Sequence, residues 1–171
     1  FCKPESELAK RAHEAGIDIV TLPLKGEWDV KSALAIRSYI KRLSIDIAHT
    51  HSSHAHMIGL LATSGLGSCK LVVSRRVDFH ISNYFSRKFK YGAGVDKIIA
   101  VSDAVRRILI EDGIESGKVV TVRSGFITGE FSKSPESPDI RRQYDIPADA
   151  TVVITDAALA PHKALHDLVK A

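Results

Sequence analysis

The chain has 171 residues, long for one average domain and short for two, and its 44% apolar and 26% charged content excludes wholesale disorder. Lys plus Arg is 24 against 20 for Asp plus Glu, a net charge of +4 that admits anionic partners without selecting one. No apolar run approaches the roughly 20 residues of a membrane span. Two cysteines, Cys2 and Cys69, cannot build a disulfide framework, so a reducing compartment is the simpler expectation. The chain starts at Phe1 without a basic-then-apolar leader and stops in an uncapped helical stretch. We therefore expect a piece of a longer protein, cut at both ends.

In chain order, helix and strand signals alternate. Ser6 to Ala15 spaces Leu8, Ala9, Ala12 and Ala15 for a helix that Gly16 ends. Ile17 to Leu22 is short and β-branched, a predicted strand closed by Pro23. Asp29 can cap a helix carrying Ala33, Ile36, Ile40 and Leu43 on one face. Strands are expected at Ile45–His49, Leu71–Ser74, Lys97–Val101 and Val119–Val122, with helices at His54–Thr63 and Ala104–Glu111. Ser102 is placed to cap the second of these.

Strands alternating with helices predict a parallel sheet with right-handed crossovers: an α/β, Rossmann-like, doubly wound, three-layer fold. Such sheets bind ligands outside the carboxyl ends of their strands. Here those ends are His49 to Ser53, Ser74 to Asp78, Ser102 and Ser124-Gly125.

Past Gly129 the pattern breaks. Ser132 to Pro138 is polar and Pro-rich, a linker signature, followed by a short helical stretch at Asp139–Tyr144. Thr151–Thr155 then reads as a strand, with a helix through Leu165 and Leu168 behind it. The expected organisation is a first domain over 1–131, a connector over 132–150, and an opening βα unit of a second domain over 151–171.

Four segments could carry chemistry. His49-Thr-His-Ser-Ser-His-Ala-His56 holds four of the eight histidines, and His49, His51 and His54 could ligate zinc in a metal-dependent hydrolase. Ser53 stands where such a hydrolase needs an Asp, however, and no later set of carboxylate and His follows. The simpler reading places His49 and His51 on opposite faces of their strand, one hydrogen-bonded and one lining a cleft. Ser74-Arg-Arg-Val-Asp-Phe79 sets Arg75, Arg76 and Asp78 at a strand end, suited to a phosphate or sugar hydroxyls. Its competing reading is an Arg76–Asp78 ion pair with Arg75 solvated. Tyr84 to Tyr91 mixes aromatics and cations at helical spacing, as a nucleic-acid platform or a membrane-docking surface does. Inward-packed aromatics under a solvated cationic face explain it more simply. Last, Lys163 precedes a helix, where a cation can reach a diphosphate. No Walker loop or Gly-x-Gly-x-x-Gly occurs.

Read together, Ile45-Asp-Ile-Ala-His-Thr-His-Ser-Ser, Lys97-Ile-Ile-Ala-Val-Ser-Asp-Ala-Val, Lys118-Val-Val-Thr-Val-Arg-Ser-Gly-Phe and Ala158-Leu-Ala-Pro-His-Lys form a series. In order and spacing it resembles the family-4 type, or group 1, retaining glycosyltransferases of lipopolysaccharide and capsule synthesis. The resemblance implies the GT-B arrangement, with 1–131 as the N-terminal acceptor half and 151–171 as the start of the donor-binding half. It implies sugar transfer with retention from a nucleotide-diphosphate sugar to a glycan or lipid-linked acceptor. No metal or cofactor would be required. It further implies a cytoplasmic enzyme, with peripheral contact to the inner membrane face and no nucleic-acid partner. His51, Arg76 and Asp78 would orient the acceptor hydroxyl, Lys163 would hold the donor diphosphate, and His49, Ser53, Arg75, Ser102 and Gly125 would bind substrate. Ala164 departs from the pattern, standing where the family has Gly after Lys.

Overall fold

Four side chains decide where the longer helices of the first part begin. Oxygens of Ser6, Asp29, Ser52 and Ser102 accept hydrogen bonds from the N–H groups of Ala9, Ser32, Ala55 and Val105 at 3.0–3.2 Å. Asp29 also accepts from the Lys25 N–H, and the backbone donors, Ser32 first, lower its pKa to about 2. The helices so started are α1 (Glu7–Glu14), α2 (Val30–Arg42), α3 (Ser53–Thr63) and α5 (Asp103–Glu111), with α4 (Tyr84–Lys90) between the last two. Gly16 and Gly113, one residue past the caps of α1 and α5, have φ of +65° and +85°, a turn that costs Gly no Cβ clash.

The computed structural model describes residues 1–81, 84–125, 128–131, 139–157 and 159–170. It divides the chain into two compact units, Phe1–Gly125 and Phe126–Ala171. That boundary falls ahead of the division expected at 131/132, and the Pro-rich stretch 132–138 lies outside the described residues.

The first unit is a Rossmann-like α/β fold. Strands β1 (Ile47–Thr50), β2 (Lys70–Arg75), β3 (Lys97–Ala100) and β4 (Val119–Thr121) form one parallel sheet in sequential order. The register aligns Thr50, Val73, Ile98 and Val119 in one row, all buried. Met57 and Leu60 of α3 and Val105 and Leu109 of α5 pack on that face. Ala33 and Ile40 of α2 pack against Ile58 and Ala62 of α3 beside Cys69. The neighbouring row, Ser74, Ile99 and Val120, points the other way. Gly59 makes the close approach of α3 to the sheet possible: a Cβ there would lie 2.7 Å from Thr50 Cγ2 and 3.2 Å from Leu71 Cδ1.

Two expected strands do not form. Residues 17–22 make only a single bridge, Cys2 with Thr21, and residues 151–157 pair with nothing among the described residues. A β-branched run becomes a strand only where a neighbouring backbone takes its hydrogen bonds; 17–22 has only Cys2 beside it, bonded to Val20 and Leu22, and 151–155 has no such neighbour among the described residues. The expected βα opening of the second unit is thus present as a 3₁₀ turn (Pro161–Lys163) and helix only.

That second unit contains α6 (Thr128–Phe131), α7 (Ile140–Gln143) and α8 (Leu165–Lys170). Asp139 caps α7 by accepting from the Arg141 and Arg142 N–H groups. The Arg141 guanidinium donates to the carbonyls of Pro147 and Ala150 at 2.7 and 3.0 Å, tying the following loop back to the helix. Among the described residues no helix is long and apolar enough to cross a membrane.

Candidate functional site

Parallel packing delivers all four strand ends of the first unit to one rim. A cleft of about 250 Å³ lies there. His49 and His51 enter it from β1, and Ser74, Arg75 and Arg76 from β2. Arg123 and Ser124 follow β4, and Ile99, Val101 and Val122 supply the apolar part of the lining. A larger cleft of about 580 Å³ includes Lys70 and Asp96, at the amino ends of β2 and β3. We place the site in the smaller one, because strand carboxyl ends present loop side chains and free N–H groups to a ligand.

His49 and His51 stand side by side. Their ring centroids are 4.0 Å apart, which corrects the opposite-face expectation: residues two apart on a strand share a face. His49 Nε2 and Ser74 Oγ are 2.8 Å apart, joining β1 to β2 across the sheet. Partial desolvation within the cleft, then the neighbouring His51, lowers the His49 pKa and favours the neutral ring. A neutral imidazole paired with a hydroxyl can accept a proton from, or donate a hydrogen bond to, a sugar oxygen.

The arginines differ in commitment. Arg75 donates to the Phe79 carbonyl and, at 3.4 Å, to the Tyr91 hydroxyl, so it holds the loop after β2. Arg76 is exposed and has no hydrogen bond or ion pair among the described residues. The Arg76–Asp78 pair of the competing reading is not formed, and Asp78 is exposed outside the cleft lining. Arg123 pairs with Asp103 at 2.6 Å. Arg123 escaped the sequence reading, although its place just after β4 carried the signal.

Two other expected site residues, Ser53 and Ser102, have structural partners. Ser53 Oγ donates to Glu27 at 2.9 Å, and Glu27 also takes the Lys90 ammonium at 2.7 Å, which lowers the Glu27 pKa. Ser102 caps α5. Gly125 closes the first unit in the open, and a Cβ there would meet nothing within 4 Å, so its identity is not required by packing. Lys163 lies in the second unit, exposed in the 3₁₀ turn before α8. Ala164 behind it has φ +49°, the left-handed region that Gly enters without strain.

Among the described residues no three His, Cys, Asp or Glu side chains converge as a ligand set. His54 is exposed on the first turn of α3, while His56 is 2% exposed and bonded at 2.7 Å to the Lys90 carbonyl. In the aromatic and basic segment, Tyr91 is buried, whereas Phe89 is 58% exposed beside Trp28, so not all its rings pack inward. The side chains of Tyr84 and Phe85 lie outside the described residues.

Residues 2–129 match the family model described as Glycosyltransferase Family 4. The chain belongs to that family. Among solved structures, this family-4 chain resembles the crystal structure of a glycosyltransferase from Rickettsia africae ESF-5, with a TM-score of 0.67 and 23% identity. The likeness covers 86% of this chain and 41% of the Rickettsia protein, so the family-4 chain spans less than half of that relative. No curated protein matches it. The match to 2–129 covers all four strand ends, and therefore the whole cleft.

Proposed function

We propose that this family-4 chain forms the acceptor side of a retaining glycosyltransferase of the GT-B type. The enzyme would move a hexosyl group from a nucleotide-diphosphate sugar to a lipopolysaccharide, capsule or other glycan or lipid-linked acceptor. The observation that carries this reading is the cleft at the strand ends, which brings the neutral His49–Ser74 pair, His51 and Arg76 together in a family-4 domain. His51 orients the acceptor hydroxyl, with Arg76 beside it; Asp78 serves only if substrate draws its loop inward. His49 and Arg75 set the shape of the pocket. Residues 151–171 begin the donor half, where Lys163 meets the diphosphate and stabilises the charge that grows on the leaving group. No metal is required, because cationic side chains take that role. The enzyme works at the inner membrane face, and nucleic acid is not a partner.

The test uses the full-length protein that contains this chain, incubated with nucleotide-diphosphate sugars and a lipid-linked acceptor in the presence of EDTA. Transfer with an unchanged anomeric configuration supports the reading, and Lys163→Ala should lower kcat/KM by about 10²-fold. Inverted product, or transfer lost with EDTA and restored by a divalent metal, overturns the retaining, metal-free mechanism.

A further inference from the structure

The cleft lining contains three arginines, two histidines and no acid. A neutral sugar hydroxyl network is usually met by mixed donors and acceptors, carboxylates among them. This lining carries positive charge and no negative charge, its other polar groups being the two histidines, Ser74 and Ser124. Arg76 has no partner among the described residues. Arg123 has one, but its pair with Asp103 is open to water, the two side chains being 77% and 54% exposed. Exposed pairs of this kind exchange readily for a stronger anion. Ser74 and the neutral His49 add uncharged hydrogen-bonding groups, and Ile99, Val101 and Val122 add an apolar patch that a pyranose ring can cover.

We propose that the cleft holds a phosphate-class oxyanion carried by the sugar acceptor. Arg76 is its main partner, and Arg123 is the second once it leaves Asp103. A guanidinium binds two phosphate oxygens at once, so two such forks fix the acceptor's orientation as well as its charge. This inference rests on the transferase reading above and adds the substrate class. A donor diphosphate has the same chemistry, so the experiment separates the two sources.

Isotope-labelled chain of 171 residues is titrated at low ionic strength with glucose 1-phosphate, glucose and uridine diphosphate, following His49, Ser74 and Ser124 by NMR. Glucose 1-phosphate should give saturating shifts at these residues, and glucose should give none. Arg76→Gln should weaken the phosphate by about tenfold and Arg123→Gln by a few-fold. Arg107→Gln, an exposed charge on α5 outside the cleft lining, should leave it unchanged. Equal binding of glucose and glucose 1-phosphate, or an equal loss in Arg107→Gln, overturns the proposal. Tighter uridine diphosphate binding at the same residues overturns the acceptor assignment in favour of the donor. Transfer by the full-length enzyme to uncharged acceptors, with no anion in the cleft, sinks this inference and leaves the transferase standing. Anion binding at these residues without any transfer keeps the oxyanion site but overturns the transferase reading and, with it, the acceptor assignment.

Discussion

The two ends of the histidine cluster have opposite fates. His49 and His51 sit at the end of β1, exposed and ring to ring, with Ser74 Oγ 2.8 Å from His49 Nε2. His56, two turns of chain later, is buried inside α3, bonded to the Lys90 carbonyl and set edge-on to Tyr91 at 4.9 Å. One pair is available to a ligand. The other ring pins α3 to the end of α4 and is consumed by the fold. Identical side chains seven residues apart thus divide between chemistry and architecture because one is on a strand end and the other on a packed helix face.

The largest test of that contrast is His56→Ala. It should cost about 3 kcal/mol, through a cavity beside Tyr91 and an orphaned Lys90 carbonyl, read as a lower midpoint in urea. An unchanged midpoint would erase the distinction. A pH titration reaches the same residue without mutation. Burial, more than the opposing Lys90 carbonyl bond, lowers the His56 pKa to about 4 from an unfolded value near 6.5. The neutral folded form binds fewer protons than the unfolded chain in that window. Stability is therefore full above about pH 6.5 and falls as pH drops towards 4, by about 3 kcal/mol in all. His56→Ala should flatten this slope, whereas His49→Ala should leave most of it.

Next in size is Gly59→Ala, on the same helix as His56. Its methyl would press on Thr50 and Leu71, and we expect a loss of about 1–3 kcal/mol in thermal or urea unfolding. Stability equal to wild type would mean α3 can lift from β1, and then the position of the cleft rim is soft. The smallest effect belongs to His49→Ala: within about 0.5 kcal/mol in stability, since the ring is exposed, but with weaker ligand binding at the cleft. A stability loss as large as that of His56→Ala would show that the His49–Ser74 bond holds the sheet together instead.

Much of this was legible beforehand, and the failures have a common cause. β-branched runs located β1 to β4 within one or two residues, and Asp29 and Ser102 cap the helices they were expected to cap. The runs at 17–22 and 151–155 are equally β-branched, but the first meets only Cys2 and the second meets no strand among the described residues, so neither extends into a sheet. Ser53 and Ser102 looked like site residues from position alone, yet Glu27 and the Val105 N–H occupy their hydroxyls. Arg123 was not among the expected site residues, yet it lines the cleft. Strand-end position identifies candidates, but competing partners decide which of them stay free.

The sequence by itself determined the alternation of elements, the helix starts and the rim on which a ligand can act. Those properties depend on periodicity, caps and the handedness of parallel crossovers, all of them local or topological. Only the tertiary structure decided that His49 would meet Ser74, that Arg75 would be spent on Phe79 and Tyr91, and that Arg76 would be left unpaired. Partners such as His49 and Ser74, 25 residues apart, or Arg75 and Tyr91, 16 apart, are brought together by register and packing, and no spacing rule along one strand encodes that choice.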